Sequence, residues 1–401
     1  MFRAAPIALV VSTAIMLSGC GVAASSQPSR QHSAQTLNSR KDKAKKLPSV
    51  HAKASRVPIG SIMMISPLDG WGWSSNKPGL WRTQDGANHW IPVQLPFKAI
   101  ASIVVNQVAF DPVNSTTIWA AVVTKHGDQI YRTTDGGRRW TQQAPVKTKD
   151  GIISLLQFVD PTHGWLITDN GIGMRQATYH LYQTVDGGAS WKLASSSGKG
   201  QYSIPGFGGG VFRFQNASTG WMTAQSLING EVSLYATRNG GKAWKAQTLP
   251  FSPSYKNALI TTETPTFAGN GHGVMPVLFY GSGSHTSTVV YLTENDGHTW
   301  KPQRALNTSL PVAVDFLNVS HGWATNAPWS PNNPILYRTS NAGKTWSIVS
   351  RSHALNNTDQ LEFVSPQVGF AETSNPKTGA VGLAKTTNGG ISWTRCDMTV
   401  Q

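Results

Sequence analysis

The chain has 401 residues and carries 34 Lys plus Arg against 19 Asp plus Glu, a formal charge of +15. Charged residues make up only 13% of it, while Gly numbers 39, Pro 23 and Trp 15, a turn-rich and indole-rich profile that excludes a helical bundle or coiled coil. Two cysteines exclude a disulfide scaffold or a cysteine-built metal cluster, and 39% hydrophobic content excludes wholesale disorder.

Arg3 is followed by an apolar run, Ala4 to Ser18, that is too short to span a bilayer as a mature helix. It ends in Leu17-Ser18-Gly19-Cys20, which resembles a bacterial lipobox. The resemblance implies removal of residues 1–19 as a lipoprotein signal peptide and lipidation of Cys20. The acyl chains would hold the protein on the extracytoplasmic side of a bacterial membrane, at about 0.8 kcal/mol per buried CH2. The plainer alternative is an ordinary signal peptide with an incidental cysteine. Residues 21–56 have no aromatic residue and no apolar period, and eight cations there face the single anion Asp42. With Cys20 they make a basic tether, 20–56, that cannot order itself. It serves either as a soluble spacer or as a strap on anionic headgroups.

Everything after residue 57 is organised by repetition. Seven eight-residue phrases open on Thr and close on Trp: Thr83–Trp90, Thr133–Trp140, Thr184–Trp191, Thr237–Trp244, Thr293–Trp300, Thr339–Trp346 and Thr386–Trp393. A second phrase precedes them, an apolar residue, a polar turn, then Gly and an aromatic, as in Phe158–Trp165, Phe214–Trp221, Phe316–Trp323 and Phe363–Phe370. Each unit offers four short strands, for example Ser154–Val159, Gly164–Thr168, His180–Thr184 and Trp191–Ala194. That pattern predicts an all-β fold over 57–401, a seven-bladed β-propeller with four antiparallel strands per blade. The eight-residue phrase resembles the Asp-box, or BNR, repeat of sialidase-like propellers, with its turn between strands C and D.

The phrase has a local job. Asp85, Asp135 and Asp186, replaced by Asn239, Asn295, Asn341 and Asn388 in the later units, can accept backbone N–H groups in a tight turn. Trp90, Trp140, Trp191, Trp244, Trp300, Trp346 and Trp393 return to pack on the blade. An Asx turn works with Asp or Asn, whereas acid catalysis does not, so all seven are expected to be structural. The chain enters as strand A of blade one and leaves as strand D of blade seven. Closure is then expected from face packing, unless residues 47–52 add a strand.

No catalytic constellation stands out. The sialidase resemblance implies an arginine triad, a Tyr–Glu nucleophile and an acid Asp, and the five glutamates, Glu231, Glu263, Glu294, Glu362 and Glu372, are scattered in sequence. Phe212-Arg213-Phe214 is the nearest approach to the Arg-Ile-Pro phrase of that family, and it lacks the proline. His163, His272 and His321 occupy one turn position on three different blades, too far apart to share an ion, and no metal or cofactor is expected.

What remains is surface. The loops opposite the Asp-box turns hold most of the cationic excess, including Lys98, Lys147, Lys149, Arg175, Lys199, Lys256, Arg304 and Arg351, with Tyr202, Phe251 and Tyr255 among them and Asp128 and Glu231 among the few acids. They form either a solvated basic rim or a docking face for an acidic protein or anionic polymer. No nucleic-acid partner is expected for a protein outside the cell, and the propeller is expected to be monomeric. The repeat unit as a whole is similar to photosystem II stability/assembly-factor-like propellers, which implies a non-enzymatic role in assembling a membrane or envelope complex. The alternative is a secreted glycoside hydrolase of sialidase-like architecture. The scarcity of carboxylates further suggests a fold that keeps its stability in acid.

Overall fold

The computed structural model describes residues 59, 61–74, 79–96, 108–124, 127–146, 152–169, 179–197, 203–204, 211–223, 226, 228–281, 286–308, 312–326, 334–375, 381–396 and 399–400. The leader, Cys20, the tether and residues 47–52 lie outside that set. Seven antiparallel sheets follow one another along the chain, and their strands are lettered A to D from the axis outward. Blade one is Ser61–Met64, Gly70–Ser74, Gly79–Thr83 and His89–Val93, and blade two is Val108–Pro112, Ile118–Thr124, Gly127–Thr133 and Thr141–Gln142. Blade three is Ile152–Phe158, Gly164–Asp169, Tyr179–Thr184 and Lys192–Ser197, and blade four is Val211–Phe214, Gly220–Thr223, Leu234–Thr237 and Lys245–Ala246. Blade six is Ala313–Phe316, Gly322–Thr325, Ile335–Thr339 and Ser347–Arg351, and blade seven is Thr358–Phe363, Gly369–Ser374, Val381–Thr386 and Thr394–Cys396.

Blade five departs from this plan. Its strands B and C, His272–Tyr280 and Thr286–Thr293, are long, and both outer positions are broken into pairs of short strands. Leu259–Thr262 and Thr266–Gly269 share strand B as partner, while Lys301–Pro302 and Leu306–Thr308 share strand C. Among the described residues the helical content is two single 3-10 turns, Pro253–Tyr255 and His353–Leu355.

Each repeat phrase builds one seam between blades. The strand-B Trp lies flat on the strand-A Phe of the next blade. Trp119 and Phe158 have centroids 3.9 Å apart, Trp165 and Phe214 3.8 Å, Trp221 and Phe267 4.7 Å, and Trp323 and Phe363 3.7 Å. The same Phe rings take the Asp-box Trp of their own blade on edge, as with Phe158–Trp191 and Phe363–Trp393, each at 6.0 Å. Such pairs contribute roughly 0.5–1.5 kcal/mol each beyond their buried area. The Gly before the strand-B aromatic sits under the ring: a Cβ on Gly164 would stand 2.4 Å from Phe158. Seven buried clusters result, one for each seam, including the one that joins blade seven to blade one.

The turns between strands C and D show why Asp and Asn interchange. In all seven the Thr hydroxyl donates to the Asp or Asn Oδ1, at 2.7–3.0 Å. That same Oδ1 accepts the N–H four residues further on, at 2.9 Å in every blade. Only a carbonyl-type acceptor is needed, and both residues supply it. Where the fourth residue is Ser or Thr, the second oxygen of Asp186 accepts from Ser190 Oγ, while the amide nitrogens of Asn295, Asn341 and Asn388 donate to Thr299, Thr345 and Ser392. Each turn is also hydrogen-bonded to the A–B turn of its own blade, as from Gly86 N–H to Leu68 O and from Gly389 N–H to Gln367 O, both 2.8 Å. The two sets of turns therefore share one end of the barrel.

Closure uses more than the face packing expected. Beyond strand D of blade seven, Thr399–Val400 runs parallel to strand D of blade one, pairing Thr399 with His89 and Val400 with Trp90. Cys396 is half-buried just before it. At the same seam, Lys385 Nζ donates to Gly86 O at 2.7 Å. Five blades carry such a cation, with Arg82, Arg132, Arg238, Arg338 and Lys385 over the strand-B aromatic of their own blade at 4.7–5.7 Å, while blades three and five have Gln183 and Leu292 there. The cations extend toward the Asp-box turn of the next blade, as Arg238 shows by donating to Asp296 O at 2.6 Å.

Candidate functional site

The loop-face basic residues divide by placement. Lys256, Arg304 and Arg351 are exposed. Lys98, Lys147, Lys149, Arg175, Lys199 and Tyr202 lie outside the described residues. Three companions assigned to that face are not on it as free groups. Asp128 is fully buried. Tyr255 stacks on Phe279 at 4.2 Å and Phe251 packs on the same ring at 5.8 Å, so both aromatics anchor their loop to blade five. The histidines behave as turn residues: His163 Nδ1 is 2.8 Å from Asp160 Oδ2 and His321 Nδ1 is 3.3 Å from Asn318 Oδ1. Among the described residues no group of three His, Cys, Asp or Glu side chains is placed to hold a metal ion.

Three of the five glutamates that looked scattered, Glu263, Glu362 and Glu372, lie with Asp111 and Asp315 on or beside the inner strands, while Glu231 and Glu294 are exposed. Every strand A is the inner edge of its sheet, so its outward N–H groups have no ladder partner and need another acceptor. The position opposite the strand-B Trp, Phe or Val is held by Met63, Asp111, Gln157, Arg213, Thr266, Asp315 and Glu362, by their pairing with Trp71, Trp119, Trp165, Trp221, Val274, Trp323 and Phe370, and four of these seven, Asp111, Gln157, Asp315 and Glu362, supply the acceptor. Asp111 accepts from Phe158 N–H at 2.6 Å, and Asp315 accepts from Phe363 N–H at 2.6 Å. Gln157 accepts from Phe214 N–H at 2.8 Å and donates back to Phe214 O at 2.9 Å. Glu362 accepts from Met64 N–H at 3.3 Å, and Glu372, on strand B of blade seven, accepts from Ile62 N–H. These side chains staple one inner strand to the next.

Burial sets their protonation. Asp111 is pushed up to about 6 by loss of water, with the Phe158 N–H and the Arg213 charge working against the shift. Burial raises Asp315 to about 7 against the N–H groups of Phe363 and Phe316. Glu372 rises to about 8, from burial first and the Asp359 charge second, with the Ile62 N–H opposing. Glu362 is raised well above the carboxylate range by burial and by Asp315 and Glu372 beside it. Glu263, in the broken strand A of blade five, is also raised by burial. Carboxyl groups with raised values side by side are what acid–base catalysis uses. Here each seam carboxyl already serves a main-chain N–H, and Gln157 fills the equivalent place with no proton to exchange.

A third feature lies at the Asp-box turn of blade two. An open groove of about 380 Å³ is lined by Arg132, Thr134, Asp135, Arg139 and Gln143 among others. Asp135 is committed to its turn, where the Arg139 N–H and the Thr133 hydroxyl hold its carboxyl below the usual range. The groove therefore presents guanidinium and hydroxyl groups around an occupied acceptor.

No protein-family model matches the chain. It is 24% identical over 362 residues to a protein of Neosartorya fischeri named as a probable oligoxyloglucan-reducing end-specific xyloglucanase, covering 80% of this chain and 41% of that one. The chain thus spans less than half the length of this curated relative. Among solved structures, YCF48 bound to a D1 peptide superposes with a TM-score of 0.52 at 17% identity, covering 84% of this chain and 96% of that one. The GH74 xyloglucanase from Xanthomonas campestris superposes with a TM-score of 0.53 at 14% identity, covering 87% of this chain and 55% of that one. These likenesses show the fold: a seven-bladed propeller of the kind found in YCF48 and in sialidase-like and xyloglucanase proteins.

Proposed function

We propose that this chain is a non-enzymatic binding protein, lipid-anchored through Cys20 outside a bacterial cytoplasm, that docks a protein segment on the loop face of a monomeric propeller. One observation carries the reading: the seam carboxyls, including the raised Glu362 and Glu372, are spent on joining blades, and a neutral Gln does the same work in blade three. A general acid or base must be free to reach a substrate proton. The loop face, with Lys256, Arg304 and Arg351 exposed, is left as the surface that can vary without loosening the ring. A YCF48 propeller with a D1 peptide bound supports a peptide-like ligand, and the assembly of a membrane or envelope complex is the role that fits an anchored binder. The second reading, a glycoside hydrolase, rests on the xyloglucanase likeness.

Crosslinking of the lipidated protein on intact cells is expected to capture one membrane-protein partner. A variant with Lys147, Lys149, Lys199, Lys256 and Arg351 changed to Ser is expected to lose it. Capture of nothing specific, or of a partner that the variant keeps, contradicts the basic-face reading.

A further inference from the structure

We propose that the seam joining blade seven to blade one is a proton-operated clasp, closed most firmly when Asp315, Glu362 and Glu372 carry their protons and loosened as they ionise. This inference rests on the geometry of closure and stands whether or not the loop face binds a protein. A propeller opens where its first and last blades meet, because covalent continuity is absent there. At this seam the inner edge is held by two carboxyl side chains reaching from blade seven to the main chain of blade one, Glu362 to Met64 N–H and Glu372 to Ile62 N–H. The preceding seam is held the same way by Asp315 on Phe363 N–H. The three acids thus lie on neighbouring strands, and their charges repel when ionised.

The surroundings offer little to neutralise them. The blade-one strand that the two glutamates reach, Ser61–Met64, and its neighbour Gly70–Ser74 contain no titratable side chain, and the blade-one residues clustered with Phe370 and Leu383 are Ile59, Ile62, Met64, Trp81, Ala87 and Trp90. Blade seven adds Asp359, a further negative charge against Glu372. Two cations lie in the same cross-strand rows. Lys385 is opposite Phe370, sits 5.7 Å from its ring and gives its ammonium to Gly86 O. Arg338 is opposite Trp323 and stacks on it at 5.4 Å. Both are turned toward the Asp-box end of the neighbouring blade. Among the described residues, the three acids are left with main-chain donors and one another.

The sign follows from the direction of the shifts. Asp315 and Glu372 bind their protons more tightly when folded, with values of about 7 and about 8, than at their ordinary values near 4. Their contribution is therefore full below about pH 4 and is lost as pH rises through 7 and 8. The exposed turn acids run the other way, Asp160 and Asp186 having been lowered to about 2. Their contribution is lost only as pH falls below about 4. Between pH 5 and 8 the clasp acts alone among the shifted carboxyls of the closing seam, with Asp111 from the seam of blades two and three and Glu263 from blade five adding in the same direction.

The test is equilibrium denaturant unfolding of the purified protein from pH 5 to pH 8. Each ionising group lowers the folding constant by up to about tenfold per pH unit in its window, so the wild-type midpoint is expected to fall steadily as pH rises. The triple variant Asp315→Asn, Glu362→Gln, Glu372→Gln keeps the acceptor oxygens and is expected to lose most of that slope, while Asp186→Asn keeps it. A wild-type midpoint that is flat or rises from pH 5 to 8 overturns the proposal, as does a slope that survives in the triple variant. Should the triple variant not fold, amide exchange in the wild type reads the same clasp. Protection at Ile62, Met64 and Phe363, corrected for intrinsic rates, must be several-fold greater at pH 5 than at pH 8, and equal protection overturns the proposal.

Discussion

Trp323→Ala is expected to cost about 3–5 kcal/mol of unfolding free energy, the range for truncating a buried Trp or Phe. Trp323 is fully buried and works at the seam of blades six and seven in three ways. It lies flat on Phe363 at 3.7 Å and 4°, its indole N–H donates to Gly389 O at 3.2 Å, and the Arg338 guanidinium of its own blade lies over the ring at 5.4 Å. Alanine removes the stack, leaves a carbonyl without its donor and unseats the arginine. Trp323→Phe separates these effects, since it keeps an aromatic face and loses the N–H. Blade seven already uses Phe370 at the equivalent position, so that variant is expected to lose only about 1–2 kcal/mol. Denaturant midpoints of the two variants check both numbers. Equal losses for Phe and Ala would show that the ring stack contributes nothing.

Gly86→Val is expected to cost about 3–4 kcal/mol, concentrated at the closing seam. Gly86 adopts φ +72°, where a β-branched residue is strained by roughly 1–2 kcal/mol. A Cβ there would stand 2.7 Å from Pro67 O, a main-chain atom, and 2.4 Å from the Lys385 ammonium. The lysine can swing away, but doing so breaks its bond to Gly86 O. The carbonyl of Pro67 cannot move without disturbing the A–B turn, and that overpacking adds about 1–3 kcal/mol. Thermal unfolding of the variant beside wild type measures the loss. A shift no larger than that of an exposed surface substitution would mean that the ring does not depend on this turn.

The seven blades were legible because their determinants are local. Thr, Asx, Gly and Trp recur within eight residues, and the hydrogen bonds they make span two to four residues, so spacing alone reports them. Strand bounds shifted modestly: strand A of blade three starts at Ile152 rather than Ser154, and strand D runs on to Ser197. Blade five hid its broken strands because Leu259–Thr262 and Thr266–Gly269 pair with one long partner, a relation that periodicity cannot express. The carboxyl staples were missed for a related reason. Glu362 meets Met64 across 298 residues of sequence, and Glu372 meets Ile62 across 310, so nothing near either acid in the chain announces its partner. One signal was available: a single polar residue interrupts an apolar inner strand in blade after blade, as in Ala109-Phe110-Asp111, Leu156-Gln157-Phe158 and Leu361-Glu362-Phe363. The C-terminal closing strand gave no such sign, since two residues are too few to show a period. The basic loop face was read from charge counts, and it stays a proposal because six of its nine residues fall outside the described set.

That the buried acids hold the ring and do not cut a substrate is tested most directly by assaying release of new reducing ends from xyloglucan and other plant and bacterial polysaccharides, with sialosides beside them, between pH 4 and 8. The wild-type protein is expected to release none above a heat-unfolded control, and Asp111→Asn, Asp315→Asn and Glu362→Gln are expected to match it. Turnover by the wild type that Asp315→Asn or Glu362→Gln abolishes, with the unfolding midpoint at pH 5 unchanged, would contradict the account and make the inner ring an active site.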